Sequence, residues 1–328
     1  MKKSIWNTLE AVDRRVLYLI LAVVASAGLF VKAEIKVDPD AYAKDWYAGM
    51  MTLPPDKPIL LQTDWTNSTR GENAGHMEAI LRLLMARKIK FLMYAFDPQS
   101  PQVARDVIRR INKERADQGL APYKPWIDYV DAGYFPNAEN SLVAVGNNPR
   151  NFFNSKRVKD DAGNDRMPFD APFMTGTTKL GDFSTLVVIT ASDTIDYAVQ
   201  RLSGRIPIYT NVTGVVGPGV LPYYQSKQLA GVGVGLKGVY DIEYMMTFGI
   251  NYPSYQESKT VRDKDKQDLV VPPLSEGAIN SDGDKRPYFG RGARYYVTFH
   301  FVMFLMILAI ILGNVAMFAG RRRTVRKH

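Results

Sequence analysis

Two uncharged apolar runs, one near each end of the chain, most strongly limit how this sequence can fold. Residues 16–31 carry no charge over 16 positions, and residues 295–319 contain no acid, lysine or arginine over 25 positions. A membrane-spanning helix needs about 20 apolar residues at a rise of about 1.5 Å each. The second run meets this length, and the first approaches it when Lys32 reaches the interface and Ala33 is included. We therefore predict a first transmembrane helix over 16–33 and a second over 295–319.

The charges beside these runs predict their orientation. Of a net charge of +9, residues 1–15 carry +2 and residues 321–328 carry +5. Lysine and arginine are enriched on the cytoplasmic side of membranes, so both tails, 1–15 and 320–328, are expected in the cytoplasm. We expect a two-pass bacterial inner-membrane protein with its main domain in the periplasm and the lipid bilayer as a partner. The region between the tails carries only +2, which argues against a nucleic-acid partner.

Other interpretations of the first run stay open. It is also compatible with a cleaved signal peptide, in which 31–33 would be the cleavage site, although the 15-residue leader with two acids is unusual. The pair Arg14 and Arg15 fits a twin-arginine signal only weakly, because the positive-inside rule produces the same pair. A buried helix of a soluble protein is disfavoured, because the other run is long and uncharged.

Between the runs, short apolar segments alternate with amphipathic helical patterns. This alternation predicts a mostly parallel, doubly wound α/β sheet over 34–250 and is similar to that of flavodoxin-like and periplasmic binding-protein-like domains. The predicted strands are 58–63, 90–96, 126–130, 184–190 and 206–210, and the predicted helices are 72–88, 99–118, 192–202 and about 221–248.

Two polar segments interrupt the alternation. Residues 147–182 contain three prolines and are predicted to be a long insertion, which in a compact domain is usually functional or bound to a partner. Residues 251–294 contain four prolines and many charges, and are predicted to be a polar stalk between the domain and the second span.

The strand ends predict a ligand site. In open parallel sheets, ligands bind outside the carboxyl ends of the strands. Polar residues follow all the predicted strands there, although turn and cap residues alone would give a similar pattern. Asp131 and Tyr134 follow the third strand. The candidate ligand-binding residues are Asp64, Thr66, Asn67, Ser68, Arg70, Asp97, Ser192, Asp193 and Asn211.

Small residues indicate close packing in two places. Residues 231–238 contain a G-x-G-x-x-G pattern, but no predicted strand precedes it, which disfavours a dinucleotide site. Gly231 and Gly235 are therefore expected to permit close helix packing. A similar stripe in the second span, whose spacing allows close approach of another membrane helix, consists of Ala309, Gly313, Ala316 and Gly320.

Catalytic and metal-binding signals are weak. The chain has no cysteine and three histidines, which excludes thiolate metal sites and thiol nucleophiles. It contains no G-x-S-x-G, H-E-x-x-H or Walker A motif. Glu72 lies four residues before His76, which is typical of an exposed pair on a helix. We expect no metal site and no cofactor, and the sequence disfavours an enzyme without deciding the question.

Two functional hypotheses follow. The first is a membrane-anchored, periplasmic interaction domain, a non-enzymatic subunit of an inner-membrane assembly whose partners are other membrane-protein subunits or further copies of this chain. The alternative is a solute-recognition domain, sensor-like or binding-protein-like, that binds a small polar ligand at the strand carboxyl ends.

Overall fold

The computed structural model of the chain divides it into two units. One comprises Val37–Gly292, and the other comprises Met1–Lys36 with Ala293–His328. The described residues are 14–30, 38–160, 162–250, 271–274 and 290–325.

The first unit is built on a six-stranded parallel sheet, which confirms the α/β prediction. Its strand order is β3-β2-β1-β6-β7-β8, and every neighbouring pair is parallel. This order is that of two βαβαβ halves side by side, and it differs from the flavodoxin-like order named above. The strands are β1 Ile59–Asp64, β2 Phe91–Ala95, β3 Tyr129–Tyr134, β6 Leu186–Thr190, β7 Ile208–Val212 and β8 Gly231–Val234.

Helices cover both faces of this sheet. Alternate strand residues point to opposite faces, so that Leu61 packs in one core and Leu60 in the other. The helices of the first face are α2 Ala41–Met51, α3 Arg70–Ala86, α4 Ser100–Asp117 and α9 Gly235–Phe248. The helices of the second face are α5 Ala138–Asn147, α6 Pro149–Phe153, α7 Thr194–Leu202 and α8 Gly217–Gln225.

The predicted insertion, 147–182, is a folded part of the second face. It contains α6, a short antiparallel hairpin and three 3₁₀ turns, and it buries Phe153, Phe169 and Met174 in the core. The prediction of an insertion did not include this local order, because a few buried aromatic residues, widely spaced among polar ones, order the segment without a helical or strand period. The hairpin strands are β4 Val158–Lys159 and β5 Asp165–Arg166, and the turns are Pro168–Asp170, Pro172–Met174 and Leu180–Asp182.

The sixth strand of the sheet, β8, was missed. It occupies part of the predicted helical region 221–248, because a Gly-Val-Gly-Val sequence has little of the usual strand composition. A Cβ atom at Gly231 would lie 2.4 Å from the Cα of Trp46, so glycine lets α2 lie directly on the strand. Gly231 therefore packs from a strand, and Gly235 begins α9, so the two residues do not share a helix.

The second unit contains two apolar helices, α1 Arg14–Gly28 and the continuous helix α10, Arg291–Val325, whose first two residues belong to the first unit. Among the described residues, only the stretch Arg294–Val315 is long and apolar enough to cross a membrane. Helix α1 has 15 residues, about 22 Å of helix against a hydrocarbon core of about 30 Å. One predicted span is thus supported, and the two-span topology stays a prediction.

The structure tests the close-packing predictions for the second unit only in part. A Cβ atom at Gly28 would lie 3.1 Å from Thr298 Oγ1, so α1 and α10 approach closely there. Apart from the backbone of its own helix and its chain neighbours, no atom of the described residues lies within 4 Å of the Cβ position of Gly313. It lies in α10 with the other members of the predicted stripe, Ala309, Ala316 and Gly320.

The predicted stalk, 251–294, lies outside the described residues except for 271–274 and 290–294. In the first of these segments, Val271 exchanges two backbone hydrogen bonds with Ile250, of 2.8 and 3.1 Å.

Candidate functional site

The strand order creates a switch point between β1 and β6. These neighbouring strands are paired in register from Leu60 opposite Leu186 to Asp64 opposite Thr190. The chain leaves β1 toward α3 on the first face and leaves β6 toward α7 on the second face. In doubly wound sheets the two turns diverge at this point and leave a ligand crevice outside the strand ends. We call this place the switch-point crevice.

The turn between β1 and α3 supplies exposed hydroxyl groups and one cation. Thr66 Oγ1 lies 2.7 Å from Ser68 Oγ, and the backbone N–H of Thr66 donates to Thr69 Oγ1 at 3.3 Å. Asn67 and Ser68 are exposed, and Arg70 is partly buried. The Arg70 guanidinium makes no ion pair or hydrogen bond with the described residues. This turn therefore offers a free cation at the N-terminus of α3, where the helix dipole also favours an anion.

Asp64 is the last residue of β1, and its carboxylate links β1 to the residue that follows β2. Its Oδ1 accepts the Phe96 N–H at 2.6 Å, and its Oδ2 accepts a bond from Gln62 Nε2 at 2.6 Å. The Tyr94 hydroxyl donates to Gln62 Oε1 at 3.1 Å, which fixes the orientation of that amide. Burial raises the pKa of Asp64 to about 6, against the hydrogen bonds from Phe96, Gln62 and Thr194. Asp64 is 4% exposed, so it supports the crevice more than it lines it.

The turn between β6 and α7 adds a second group of hydroxyls. Thr190 Oγ1 lies 2.9 Å from Thr194 Oγ1 and 3.1 Å from Ser192 Oγ. The Ser192 N–H donates to Thr190 Oγ1 at 3.0 Å. Asp193 is exposed and makes no side-chain cap on α7. Together with the β1–α3 turn, these residues give the crevice hydroxyl groups on both sides.

Two acids named with the strand ends have structural partners. Asp97 Oδ1 accepts the Gln99 N–H at 2.8 Å at the start of α4, as turn aspartates commonly do. Asp131 lies inside β3, which begins three residues later than predicted, and it pairs with Arg105 at 2.6 Å. Tyr134 is the last residue of the same strand.

Asn211 lies on the other side of the sheet from Asp64. Its Nδ2 is 3.1 Å from His76 Nδ1 on α3, a first-face helix, whereas Asp64 interacts with Thr194 on α7, a second-face helix. The candidate residues therefore do not form one site. The two turns that flank the switch point contain Thr66, Asn67, Ser68, Arg70, Ser192 and Asp193, and the buried Asp64 ends the strand before the first turn.

His76 is a buried core residue, and the prediction of an exposed pair with Glu72 was wrong. Its relative exposure is 0%, and it packs toward β7 with Asn211. Burial lowers the pKa of His76 to about 3, against favourable interactions with the backbone of Val212 and Gly235. The imidazole is therefore neutral near pH 7. The sequence does contain a pattern that indicates this burial. His76 lies beside Met77 and four residues before Ile80, on the apolar side of the helix.

Asn73 is a further residue that the sequence analysis missed. Within the described part of the chain, its side-chain nitrogen and oxygen are both buried without a hydrogen bond, as are His76 Nε2 and Asn211 Oδ1. Asn73 lies three residues before His76, so both side chains leave one side of α3. Each unpaired buried group costs about 1–3 kcal/mol, and such groups are rare in native proteins.

The glycine pattern begins inside strand β8 and continues into the first turn of α9, whereas the sequence analysis expected no strand there. A Cβ atom at Gly233 would lie 2.4 Å from Asn211 Nδ2, and one at Gly238 would lie 2.7 Å from the carbonyl carbon of Gly233. The pattern sits on the edge strand β8, whereas the dinucleotide fingerprint belongs to the first βα unit beside the switch point. These glycines make room for buried neighbours, and the interpretation as close packing fits them better than a phosphate loop.

No group of three or more acids or histidines among the described residues could hold a metal ion. No protein-family model matches this chain, and no curated protein matches it either. The function therefore has to be argued from the geometry of the switch-point crevice.

Proposed function

We propose that this chain is a membrane-attached α/β domain that recognises a small polar ligand in the switch-point crevice. The observation that carries the proposal is Arg70. It is a partly buried cation with no ion pair in the described part of the chain, placed at a helix N-terminus beside the switch point. Both halves of the sheet direct their strand ends to this place.

The chemistry of the crevice suits a ligand with an acidic group and several hydroxyl or carbonyl groups. A guanidinium binds carboxylate or phosphate oxygens through two parallel hydrogen bonds. Ser68 and Ser192 supply hydroxyls on the two sides of the crevice, and each can donate or accept. Asp193 adds an exposed acceptor for a ligand hydroxyl or amine.

Recognition fits this geometry better than catalysis. The Asp64 carboxylate is already occupied by the Phe96 amide and the Gln62 side chain. His76 is the histidine nearest the crevice in sequence, and it is fully buried. A general base must lie within hydrogen-bond reach of its substrate, and neither residue is exposed to one.

The proposed location is the inner membrane of a bacterium, with the α/β unit in the periplasm and both tails in the cytoplasm. Support comes from the apolar stretch Arg294–Val315 and from the basic residues at both ends of the sequence. The approach of Gly28 to Thr298 supports a helix pair, because it brings the end of α1 beside the beginning of α10.

A thermal-shift screen of the full chain in detergent against small acids, sugars and phosphorylated metabolites tests the proposal. We expect at least one compound to raise the Tm, and Arg70→Ala to abolish that rise. Arg150→Ala is the matched control, because Arg150 is an exposed arginine on α6 that also lacks a partner among the described residues. The proposal fails if no compound shifts the Tm, or if Arg70→Ala and Arg150→Ala retain the same shift.

A role as a subunit of a membrane assembly is the second candidate. Its support is the uncovered surface of α10, including the open Cβ position of Gly313. The predicted partner surface at 147–182 stays a prediction, because the segment buries Phe153, Phe169 and Met174 but exposes many of its other residues. Native mass spectrometry from lipid nanodiscs tests this candidate: a monomer without other subunits would contradict it.

A further inference from the structure

Helix α9 contacts a chain segment that follows the first apolar helix. The backbone N–H of Asp40 donates to Asp241 Oδ2 at 3.1 Å. Lys237 Nζ lies 2.6 Å from Asp241 Oδ2 and 3.4 Å from Asp40 Oδ2. Asp241 is fully buried, whereas its partners Lys237 and Asp40 are 25% and 37% exposed, so the contact joins the interior to the surface. We call 38–40 the first docking segment.

The same helix contacts the segment that begins α10, residues 290–292, which we call the second docking segment. The Gly292 N–H donates to Glu243 Oε1 at 3.2 Å. A Cβ atom at Gly292 would lie 2.8 Å from the backbone nitrogen of Tyr240, and one at Gly290 would overlap Glu243. The chain at Gly292 is therefore packed against the backbone of α9 with no room for a side chain.

Helix α3 holds the second docking segment from its other side. Glu78 is 3% exposed, and its Oε1 lies 2.7 Å from Arg291 Nε. Arg110 contacts the same carboxylate oxygen, and Arg82 lies 3.7 Å from the other. Three arginines thus contact one buried carboxylate, and the contact of Arg291 ties the second docking segment to α3.

Helices α3 and α9 also reach the carboxyl end of the parallel strands. Glu72 Oε2, in the first turn of α3, accepts the Gly214 N–H of the β7–α8 loop at 2.7 Å. Gly235 begins α9 with φ +57°, and a Cβ atom there would lie 3.2 Å from Gly214 Cα. Gly214 is therefore held between the first turns of α3 and α9.

We propose that α9 couples the strand-end loops to both docking segments, so that a change at Gly214 alters the packing of 38–40 and 290–292. Tightly packed helices respond to such changes by small shifts as units. The claim that a bound ligand causes this change rests on the proposed function. The coupling itself does not depend on a ligand. Coupling between two sites is reciprocal, which makes it testable from both ends.

Hydrogen exchange of the full chain in lipid nanodiscs tests the coupling without any ligand. Glu72→Ala removes the acceptor of the Gly214 N–H. We expect the Asp40 and Gly292 amides, which are bonded to α9, to exchange about fivefold faster or more in this variant. Glu139→Ala is the matched control, because it removes an exposed carboxylate that pairs with Arg201 on the second face, and should leave both amides unchanged.

The reverse experiment uses Gly292→Ala, which displaces the second docking segment. We expect faster exchange in residues 213–216, including the Gly214 amide. The inference is overturned if each substitution affects only its own surroundings. Because no ligand is added, that result would leave ligand recognition standing, and a failed ligand screen would leave the coupling standing.

Discussion

The two faces of the sheet are stabilised by different kinds of contact. The second face is packed with aromatic rings: Phe153 lies 5.1 Å from Tyr94 and 6.3 Å from Phe169, measured between ring centroids. Helices of the first face bury the charged side chains Lys44, Glu78, Asp241 and Glu243, whereas α5 to α8 bury none. Buried charge is a poor source of stability but fixes relative positions. Both faces bury large apolar clusters, so the difference lies in what each adds to them. We expect the aromatic packing of the second face to add stability and the buried charges of the first face to fix the positions of the docking segments.

Phe153→Ala should have the largest effect on the free energy of unfolding. The side chain is fully buried among four other aromatic rings, so its removal leaves a cavity. We expect a loss of about 3–5 kcal/mol in denaturant titrations of the full chain in detergent. Phe248→Ala is the control, because Phe248 is 48% exposed. Equal losses in the two variants would show that the burial of Phe153 among these rings does not add to stability.

The second largest effect should be a pH dependence of the unfolding free energy that comes from a buried carboxyl group of the first face. Burial raises the pKa of Asp241 to about 6, against its hydrogen bond and charge interaction with Lys237. The folded state thus holds this proton more tightly than the unfolded state, for which the pKa is about 3.8. The contribution of Asp241 to stability is present below about pH 4 and is lost as the pH rises to about 6, a change of up to about 3 kcal/mol.

Asp241→Asn should therefore flatten the dependence of the unfolding free energy on pH between 4 and 7. Burial also raises the pKa of Asp64 to about 6, with the same sign, but Asp64 is present in both proteins. The difference between the two curves thus isolates the first-face carboxyl. Parallel curves for the wild type and the variant would contradict the assignment.

A smaller loss of unfolding free energy is expected when a methyl group is added at a tight contact on the first face. Gly231→Ala places a methyl group 2.4 Å from the backbone of Trp46, which forces α2 away from β8. We expect a loss of about 1–3 kcal/mol, seen as a lower Tm in calorimetry. Gly181→Ala provides the control, since nothing lies within 4 Å of its Cβ position. Equal Tm values for the two alanine variants would show that the contact between α2 and β8 is not rigid.

The smallest effect should come from the surface of the second face. Arg201 pairs with Glu139, and the two side chains are 40% and 44% exposed. Because exposed ion pairs contribute little, Arg201→Ala should change the unfolding free energy by less than about 1 kcal/mol at 0.15 M salt. A larger loss in denaturant titrations would mean that charge also stabilises the second face.

Much of the sheet could be predicted, because its buried strands are short apolar runs. The runs at 58–63, 90–96 and 184–190 correspond closely to β1, β2 and β6. Strand β8 could not be recognised, since its glycines are selected by the close approach of Trp46 and Asn211, which lie far away in the sequence. The segment 147–182 was missed for a related reason, as its order depends on long-range packing of Phe153 and Phe169.

The sequence predicts the location of the candidate site, at the carboxyl edge of the sheet. It does not predict which side chains contact each other there. Residues after parallel strands must meet at one edge, which brings Ser68 and Ser192 to the switch point. The sequence does not show that Asn211 packs against His76 on the first face, because that contact joins residues 135 positions apart. Arg70 was identified as a candidate, but its lack of an ion partner is a property of the folded chain.

A structure of the chain with the compound that raises the Tm most strongly tests the central claim most directly. The account predicts that the compound lies between the β1–α3 and β6–α7 turns, with an acidic group within hydrogen-bond distance of Arg70. A compound bound elsewhere on the α/β unit, with the switch-point crevice empty, would contradict it.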